Sequence, residues 1–280
     1  MARAISVTEG AGTAFGFLFR SWPRAVGALT LVGLLGGGVT LAFRSHDFAH
    51  GWLLFAAYLL AAVMARGALF RIWHAERRPD DQALAPGFSG FQWGAIEWRL
   101  LGVVLLRGLL FGLFGALFLT VLAAIYVGMA AAETARDFAV AVHAGWRPSL
   151  DPLGWTVVSA VGLAGTVGLC WIGLRLYLAF AATVAVGRVQ LLSAWGLTRG
   201  HVWRIFGSLV LVLSPWFGVV VLARVGRGVL TSGGAGDPRT IAAASSLIMS
   251  FGQAFLALPL SVGLMIYLYD RLGPEDVGVS

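Results

Sequence analysis

The chain has no lysine, a single cysteine and few charged residues, and each shortage narrows what it can be. Charged residues make up only 12% of its 280 residues and hydrophobic residues 59%, whereas soluble globular proteins have about 25% charged residues. These values exclude a soluble globular protein. The lone Cys170 has no partner for an internal disulfide and no metal-site spacing, so we interpret it as a small packing residue. All 20 basic residues are arginine, which a GC-rich bacterial coding bias explains.

Carboxylates are scarce where a membrane enzyme or a proton-coupled carrier needs them. All 13 Asp and Glu residues lie outside the apolar spans given below, so we expect no proton-relay carboxylate at mid-membrane. The sequence also lacks a P-loop, an H-E-x-x-H motif and a G-x-S-x-G motif. We therefore predict no catalytic residue and no cofactor. The net charge of +7 comes from arginines beside apolar runs, which is typical of membrane anchoring and does not favour a nucleic-acid partner.

Long apolar runs dominate the sequence. Residues 25–43, 108–132 and 205–223 contain no charged side chain. A run of roughly 20 apolar residues crosses a bilayer as a helix, because hydrocarbon offers the backbone no other hydrogen-bond partner. We predict an all-α polytopic membrane helix bundle with six transmembrane helices, arranged as three hairpins with short interfacial helices. The predicted spans are 25–43, 52–73, 108–132, 155–174, 205–223 and 241–269.

The predicted topology has one membrane domain over residues 1–280 and no separate soluble domain, because the loops between the spans are short. We interpret the first span as retained, since no small-residue cleavage site follows it. Twelve arginines flank the spans on the side of the termini and six on the other side, so the positive-inside rule places both termini in the cytoplasm. The predicted location is the bacterial inner membrane.

A weak internal repeat stands at the entrance of each odd-numbered span, where a tryptophan, an arginine and a glycine recur. The three copies are Trp22, Arg24 and Gly27; Trp98, Arg99 and Gly102; and Trp203, Arg204 and Gly207. Each copy ends or follows a semi-apolar segment, over 13–22, 88–98 and 189–203. We interpret these segments either as interfacial helices that lie in the membrane plane or as ordinary connectors with aromatic residues at headgroup level.

Small residues four apart predict close helix packing. They occur as Gly33 and Gly37; as Gly108, Gly112 and Ala116; as Ala160, Ala164 and Gly168; and as Ser246, Ser250 and Ala254. Such faces serve contacts inside one bundle or, alternatively, a homodimer. Pro215 and Pro259 stand inside the fifth and sixth predicted spans and should bend or locally open them. The alternatives there are kinked packing helices and a central transport site.

A polar cluster in the outer loops is a weak candidate for metal binding. His46, Asp47 and His50 lie in the first outer hairpin and His143 lies in the second outer connector. Imidazole and carboxylate groups are zinc ligands, but nothing in the sequence brings the two connectors together. Solvated loop polarity is the alternative, and we predict no metal.

Three arginines adjoin apolar runs near their predicted cytoplasmic ends. They are Arg66, Arg107 and Arg175. An arginine near the end of a span can extend its guanidinium to the headgroup layer and avoid most of the cost of burial. The functional alternative is a basic pocket between helices for an anionic lipid headgroup or a phosphate ester, whose oxygens suit the guanidinium fork.

Residues 175–204 resemble a segment of a known membrane family. The similarity is carried by Arg175-Leu176, by the core Trp195-x-Leu197-Thr198-x-Gly200 and by Trp203-Arg204. These motifs resemble the membrane domain of bacterial glycerophosphoryl diester phosphodiesterases and related uncharacterised six-span bacterial families. The resemblance implies a membrane module without assigned catalytic residues. The phosphodiesterase barrel of that family is a separate soluble domain, which we expect to be absent from this chain.

Together these features predict a non-catalytic bacterial inner-membrane protein that acts as a scaffold or lipid-interacting accessory of the cell envelope. The expected partners are membrane lipids, anionic ones in particular, with a protein partner or a second copy as alternatives. A second hypothesis is a small carrier or lipid-handling transporter with an arginine-lined pocket on the cytoplasmic side. A third, an intramembrane lipid-modifying enzyme, lacks a paired acid and base at one depth.

Overall fold

The computed structural model describes residues 5–77, 87–134, 152–234 and 236–273, and within these ranges it is almost entirely helical and contains no strand. The helices are α1 Val7–Arg44, α2 Phe48–Arg77, α3 Ala95–Thr134, α4 Pro152–Arg175, α5 Ala179–Val186, α6 Ser193–Leu197, α7 Val202–Ser232, α8 Pro238–Gly252 and α9 Leu258–Leu272. A 3-10 turn at Phe88–Gly90 precedes α3, and a π-helical turn at Gln253–Ala257 joins α8 to α9.

Six helical segments are long and apolar enough to cross a membrane, which confirms the predicted all-α polytopic fold. They are Val7–Arg44, Phe48–Arg77, Phe88–Met129, Pro152–Val186, Val202–Ser232 and Pro238–Leu272. Most extend beyond the predicted spans. Arg224 and Arg227, expected in an outer loop, lie inside α7, because apolar residues continue on both sides of them and a helix tolerates single arginines.

One predicted interfacial segment is not a separate element. Residues 13–22 belong to α1, which continues unbroken through them. Residues 88–98 form the 3-10 turn, a short extended stretch and the first turn of α3. Residues 189–203 contain the five-residue α6 and the start of α7. Only the second and third segments therefore interrupt the long helices.

The chain divides into two compact units. Unit 1 comprises Met1–Val104 with Leu176–Ser280, and unit 2 comprises Leu105–Arg175. The start of α3 belongs to unit 1 and the rest of that helix to unit 2. The single membrane domain stays a prediction.

In unit 1, α1 is the central helix and packs against α2, α7, α8 and α9. Its glycines admit α8 at close range. A Cβ at Gly33 would lie 3.1 Å from the ring of Phe251, and one at Gly37 would lie 2.5 Å from Cδ2 of Leu247. Ser250 Oγ would lie 3.3 Å from a Cβ at Gly36. The predicted glycine face of α1 therefore packs against large side chains of α8, Phe251 and Leu247, rather than against the predicted small-residue face of that helix, whose Ser250 approaches Gly36.

The buried side chains of unit 1 gather at the end where α1 begins and α9 ends. They lie within Ile5–Val32, Ala61–Trp73, Ile96–Val103, Leu176–Val184, Val202–Val212 and Leu258–Tyr269. We call this set the end core; Phe70, Leu100 and Leu264 there are fully buried. The other halves of the same helices expose large apolar side chains such as Leu53 and Leu222. Burial therefore changes along the helices as well as across them, since Phe19 and Trp203 are exposed at the same end.

Pro259 accounts for the π-helical turn between α8 and α9. A proline has no N–H, so it cannot bond to the carbonyl of Phe255 four residues earlier. Trp22 of α1 supplies the missing donor, since its Nε1–H donates to the Phe255 carbonyl oxygen at 2.8 Å. The local opening predicted at Pro259 is present, and a side chain from another helix satisfies the carbonyl that it exposes.

Pro215 has a milder effect because the residue beside it compensates. The carbonyl left without its N–H partner is that of Leu211, and the Ser214 hydroxyl donates to it at 2.8 Å. The helix α7 continues through the proline without a break from Val202 to Ser232. Local opening at Pro215 is therefore not observed.

Unit 2 is a helical hairpin in which the later part of α3 runs antiparallel to α4. A Cβ at Gly165 would lie 1.9 Å from Cε2 of Phe118, and the rings of Tyr126 and Trp155 are 6.4 Å apart. By contrast, no atom of the described residues of this unit lies within 4 Å of a Cβ position at Gly112. The hairpin is thus built on a few aromatic contacts and leaves its predicted small-residue face uncovered within the unit.

Candidate functional site

Arg71 of α2 and Glu97 of α3 form a buried ion pair in the end core. Nε of Arg71 donates to Oε1 of Glu97 at 3.1 Å, and Nη2 donates to Oε2 at 2.7 Å. The two side chains are 5% and 0% exposed. Parallel hydrogen bonds of this kind are the strongest geometry for a guanidinium and a carboxylate. Removing either partner would leave an uncompensated charge in the core.

The position of Glu97 follows from the start of α3 and from a glycine on α2. Gly94, directly before the helix, donates its N–H to Oε2 of Glu97 at 2.7 Å, so a first-turn side chain caps the end of its own helix. A Cβ at Gly67 would lie 2.3 Å from Oε1 of Glu97. Only glycine at position 67 therefore leaves room for the carboxylate.

The connector that precedes α3 inserts between α1 and α2. Gly90 has φ +80°, a conformation that glycine adopts without strain. A Cβ at Gly90 would lie 3.1 Å from Ala28 and 3.2 Å from Ala68. The ring of Phe91 would lie 2.4 Å from a Cβ at Gly27. Small residues on α1 and α2 thus leave room for this connector, and its position places Glu97 beside Arg71.

Arg66 lies on α2 where the exposed half of the helix meets the end core. Its guanidinium carbon is 5.4 Å from the centre of the Phe180 ring of α5, and that ring is 4% exposed. The arginine side chain itself is partly exposed. Among the described residues, no carboxylate lies within 4.0 Å of its guanidinium. The ring stabilises the charge but does not neutralise it.

The other two arginines of the predicted basic pocket belong to unit 2. The guanidinium of Arg107 lies over Phe111 at 5.5 Å, and that of Arg175 lies over Trp171 at 4.7 Å. Arg66 belongs to unit 1. Each of the three guanidinium groups thus has its own aromatic neighbour. A common pocket for the three stays a prediction.

Three further ion pairs join the ends of the long helices in unit 1. They are Arg77 with Asp270 at 2.5 Å, Arg20 with Glu76 at 3.5 Å, and Arg271 with Glu9. They link α2 to α9, α1 to α2, and α9 to α1. These pairs are partly exposed, so each contributes much less than the buried pair.

The predicted metal candidates form one short contact. Nδ1 of His50 lies 2.7 Å from Oδ2 of Asp47, and this hydrogen bond holds the pKa of Asp47 below its ordinary value of 3.8. His46 instead packs edge-on against the ring of Phe48. His143 lies outside the described residues, and no group of three metal-ligating side chains occurs within the described part of the chain.

The tryptophans of the predicted repeat have three different environments. Trp22 donates to the carbonyl of Phe255, as above. Trp98 is 62% exposed and packs edge-on against Trp93 at 5.5 Å. Trp203 is 83% exposed. Trp98 and Trp203 are exposed enough to contact lipid, whereas Trp22 also satisfies a backbone carbonyl of another helix.

The glycines and arginines of the repeat also differ. Gly27 leaves room for the ring of Phe91, and a Cβ at Gly102 would lie 3.3 Å from Val189. A Cβ at Gly207 would meet no atom of the described residues within 4 Å. The repeat arginines are Arg24 and Arg204, which are exposed, and Arg99, which is half-buried. Similar sequence therefore does not give similar packing here.

The Arg71–Glu97 pair is the feature that sequence reasoning missed. In the sequence, Arg71 is one of the arginines near the end of a predicted span, and Glu97 lies in the semi-apolar segment 88–98. Gly94 directly before the helix, with Glu97 in its first turn, was a local signal of a capping side chain. Nothing local indicated that Arg71, 26 residues earlier, would be its partner.

Comparison with known proteins finds no matching family model, no similar curated protein and no similar solved structure. The resemblance of residues 175–204 to the phosphodiesterase membrane domain therefore stays a prediction. What the structure establishes is a multi-pass, all-helical protein of membrane type.

Proposed function

We propose that this chain is a non-catalytic protein of the bacterial inner membrane, a scaffold or lipid-interacting accessory of the cell envelope with both termini in the cytoplasm. The observation that carries the proposal is the spacing of arginines along unit 1 relative to the end core. The resemblance of residues 175–204 to a membrane module without catalytic residues supports the same role.

Two helices of unit 1 have arginines spaced by the thickness of a bilayer. Arg24 and Arg44 on α1 are 20 residues apart, as are Arg204 and Arg224 on α7. A helix covers that interval in about 30 Å, the thickness of the hydrocarbon core. The segments between them contain no charge. In this arrangement, the end core extends from the inner headgroup level, marked by Arg24 and Arg204, into the inner part of the hydrocarbon layer.

The end core uses its buried charges for structure. Arg71 and Glu97 neutralise each other and join α2 to α3. Such a pair holds helices in one register but leaves neither group available for acid–base chemistry. This supports a scaffold rather than an enzyme.

The exposed residues around the end core suit contact with the inner-leaflet headgroups. Trp98 and Trp203 are exposed, as are Arg24 and Arg204. Tryptophan favours the headgroup region of a bilayer, and arginine there attracts anionic lipids. This combination supports an interaction with anionic lipid.

Native mass spectrometry of the protein gently extracted from its own membrane tests the proposal. We expect an anionic lipid or a protein partner bound in fixed stoichiometry. In the lipid case, replacing Arg66, Arg107 and Arg175 with glutamine should reduce retention, whereas Arg224→Gln serves as a control at the opposite end of α7. If the gently extracted protein retained neither an anionic lipid nor a protein partner, the proposal would be contradicted.

A small carrier is the alternative, and the π-helical turn favours it. Within that turn, the Gln253 amide donates to the Tyr58 hydroxyl at 3.1 Å, which places polar groups and an irregular backbone inside the last predicted span. Transporters use such interruptions to bind substrates. Substrate-dependent flux in liposomes, abolished by Gln253→Leu, would support the carrier over the scaffold.

A further inference from the structure

The three arginines of α2 inside unit 1 differ in their partners. Arg77 pairs with Asp270, and Arg71 pairs with Glu97. Arg66 has an aromatic ring beside it and, in the part of the chain that the structure describes, no carboxylate within 4.0 Å. One helix thus carries two neutralised arginines and one that has no carboxylate beside it among the described residues.

The position of Arg66 along α2 matches the inner edge of the hydrocarbon layer. It lies 19 residues after Asp47, a distance of about 28 Å along a helix. No Asp, Glu, Lys or Arg lies between them. In the proposed orientation, this spacing puts Arg66 at the inner edge of the hydrocarbon layer, where lipid phosphates begin.

Arg66 differs from Arg24 and Arg204 at this boundary. Arg24 and Arg204 are exposed, and water can hydrate them. The Arg66 side chain is half-buried, and its guanidinium faces a ring that is almost completely enclosed. A guanidinium that has lost part of its hydration needs an anion or hydrogen-bond acceptors in its place.

We propose that Arg66, backed by Phe180, binds a phosphate oxyanion at the inner edge of the hydrocarbon layer. The guanidinium fork presents parallel N–H donors that match two phosphate oxygens, and the ring of Phe180 supports the cation on one face. The phosphate belongs either to a lipid headgroup or to free phosphate ion. This inference rests on the proposed lipid-interacting function and identifies the residue that selects the ligand.

The experiment compares four single variants with the wild-type protein. Arg66→Gln removes the charge and Arg66→Lys keeps the charge without the fork. Arg188→Gln and Arg199→Gln remove exposed charges on the same predicted side of the membrane and serve as matched controls, since neither is assigned a role in lipid binding. Each detergent-solubilised protein is titrated with phosphatidylglycerol, with diacylglycerol, which lacks the phosphate, and with inorganic phosphate. Bound ligand is counted by native mass spectrometry, and thermal unfolding is recorded with and without lipid.

We expect the wild-type protein to bind one phosphatidylglycerol and no diacylglycerol. Arg66→Gln should weaken that binding about tenfold or more, because charged hydrogen bonds contribute at this scale. Arg66→Lys should be intermediate and the two controls should change little. Without lipid, Arg66→Gln should unfold at or above the wild-type temperature, since it removes an unbalanced charge. Binding of inorganic phosphate with equal loss in Arg66→Gln would support the site with the free ion as its ligand.

Three results would overturn the proposal. If Arg66→Gln and the two controls lose lipid equally, the boundary charge acts as a whole and Arg66 is not a site. If wild-type protein binds phosphatidylglycerol and Arg66→Gln binds it equally well, this inference fails and the lipid-interacting function stands. If wild-type protein binds neither lipid nor phosphate, the lipid-interacting form of the proposed function fails as well.

Discussion

The end core of unit 1 and the hairpin of unit 2 use the same residue types differently. Gly67 in the end core leaves room for a buried carboxylate, and Gly27 leaves room for an aromatic ring. In the described part of unit 2, no atom lies within 4 Å of a Cβ position at Gly108 or Gly112. Hydropathy is high in both regions. The comparison teaches that in a membrane protein a glycine is a packing residue only where another segment approaches it.

The two regions also differ in how they keep a charge among apolar residues. The end core buries Arg71 by pairing it with a carboxylate. The described part of unit 2 places Arg107 and Arg175 over aromatic rings. Ion pairing fixes the relative position of two helices, whereas ring stacking stabilises a charge within one helix and its neighbourhood. The following predictions test these differences, from the largest effect to the smallest.

Breaking the buried ion pair should have the largest effect. Glu97→Gln leaves Arg71 buried without a counter-charge, which costs about 3–5 kcal/mol of unfolding free energy. The measurement is SDS-induced or thermal unfolding of the detergent-solubilised protein, followed by tryptophan fluorescence. Glu76→Gln breaks the exposed pair with Arg20 and should cost at most about 1 kcal/mol. Equal losses of unfolding free energy in the two variants would show that burial does not determine how much an ion pair stabilises this protein.

Alanine at matched glycines should separate the two units. Gly67→Ala places a Cβ 2.3 Å from Oε1 of Glu97 and should destabilise the protein by about 1–3 kcal/mol through overpacking. Gly112→Ala meets no atom of its unit and should be neutral or stabilise by up to about 1 kcal/mol, because alanine favours the helix. The same unfolding assay compares them. Strong destabilisation by Gly112→Ala would mean that a partner covers that face.

The indole hydrogen bond at the π-helical turn should have an intermediate effect. Trp22→Phe removes the donor to Phe255 O and should cost about 1 kcal/mol. In a Pro259→Ala background the new N–H at position 259 can satisfy that carbonyl, so the cost of Trp22→Phe should shrink. A double-mutant cycle measures the coupling. Strictly additive changes would exclude the compensation proposed here.

The contact between Asp47 and His50 should show the smallest effect, confined to low pH. The hydrogen bond from His50 lowers the pKa of Asp47 in the folded state, so its contribution is present above the ordinary value of 3.8 and is lost as pH falls through the folded pKa. Selective carboxyl labelling and NMR titration measure the midpoint. His50→Ala should return that midpoint toward 3.8, and an unchanged midpoint would assign the shift to another cause.

The sequence predicted the fold class and six spans because hydropathy depends on local composition. Residues 205–223 and 25–43 contain no charge, and both lie inside helices of the expected kind. It underestimated helix length at α1 because the aromatic and basic residues before Trp22 looked interfacial. Tertiary packing against α9 allows those residues to continue the helix.

The arrangement of the end core could not be predicted from one sequence. The pairing of Arg71 with Glu97 depends on the connector that inserts between α1 and α2, and on the room left by Gly67. The neighbour of Arg66, Phe180, comes from a short helix more than a hundred residues away. Such long-range contacts leave no periodic pattern in the sequence. The four-residue spacing of Gly33 and Gly37 is such a pattern, and its interpretation as a packing face is correct.

We propose that Arg71 holds the end core together and that Arg66 binds a phosphate oxyanion. Thermal unfolding of Arg71→Gln and Arg66→Gln, each with and without phosphatidylglycerol, separates these two roles. We expect Arg71→Gln to unfold at a lower temperature than the wild type in both conditions. Arg66→Gln should unfold at or above the wild-type temperature without lipid but gain less stability when lipid is added. If the two variants respond in the same way in both conditions, the distinction between a structural and a binding arginine is contradicted.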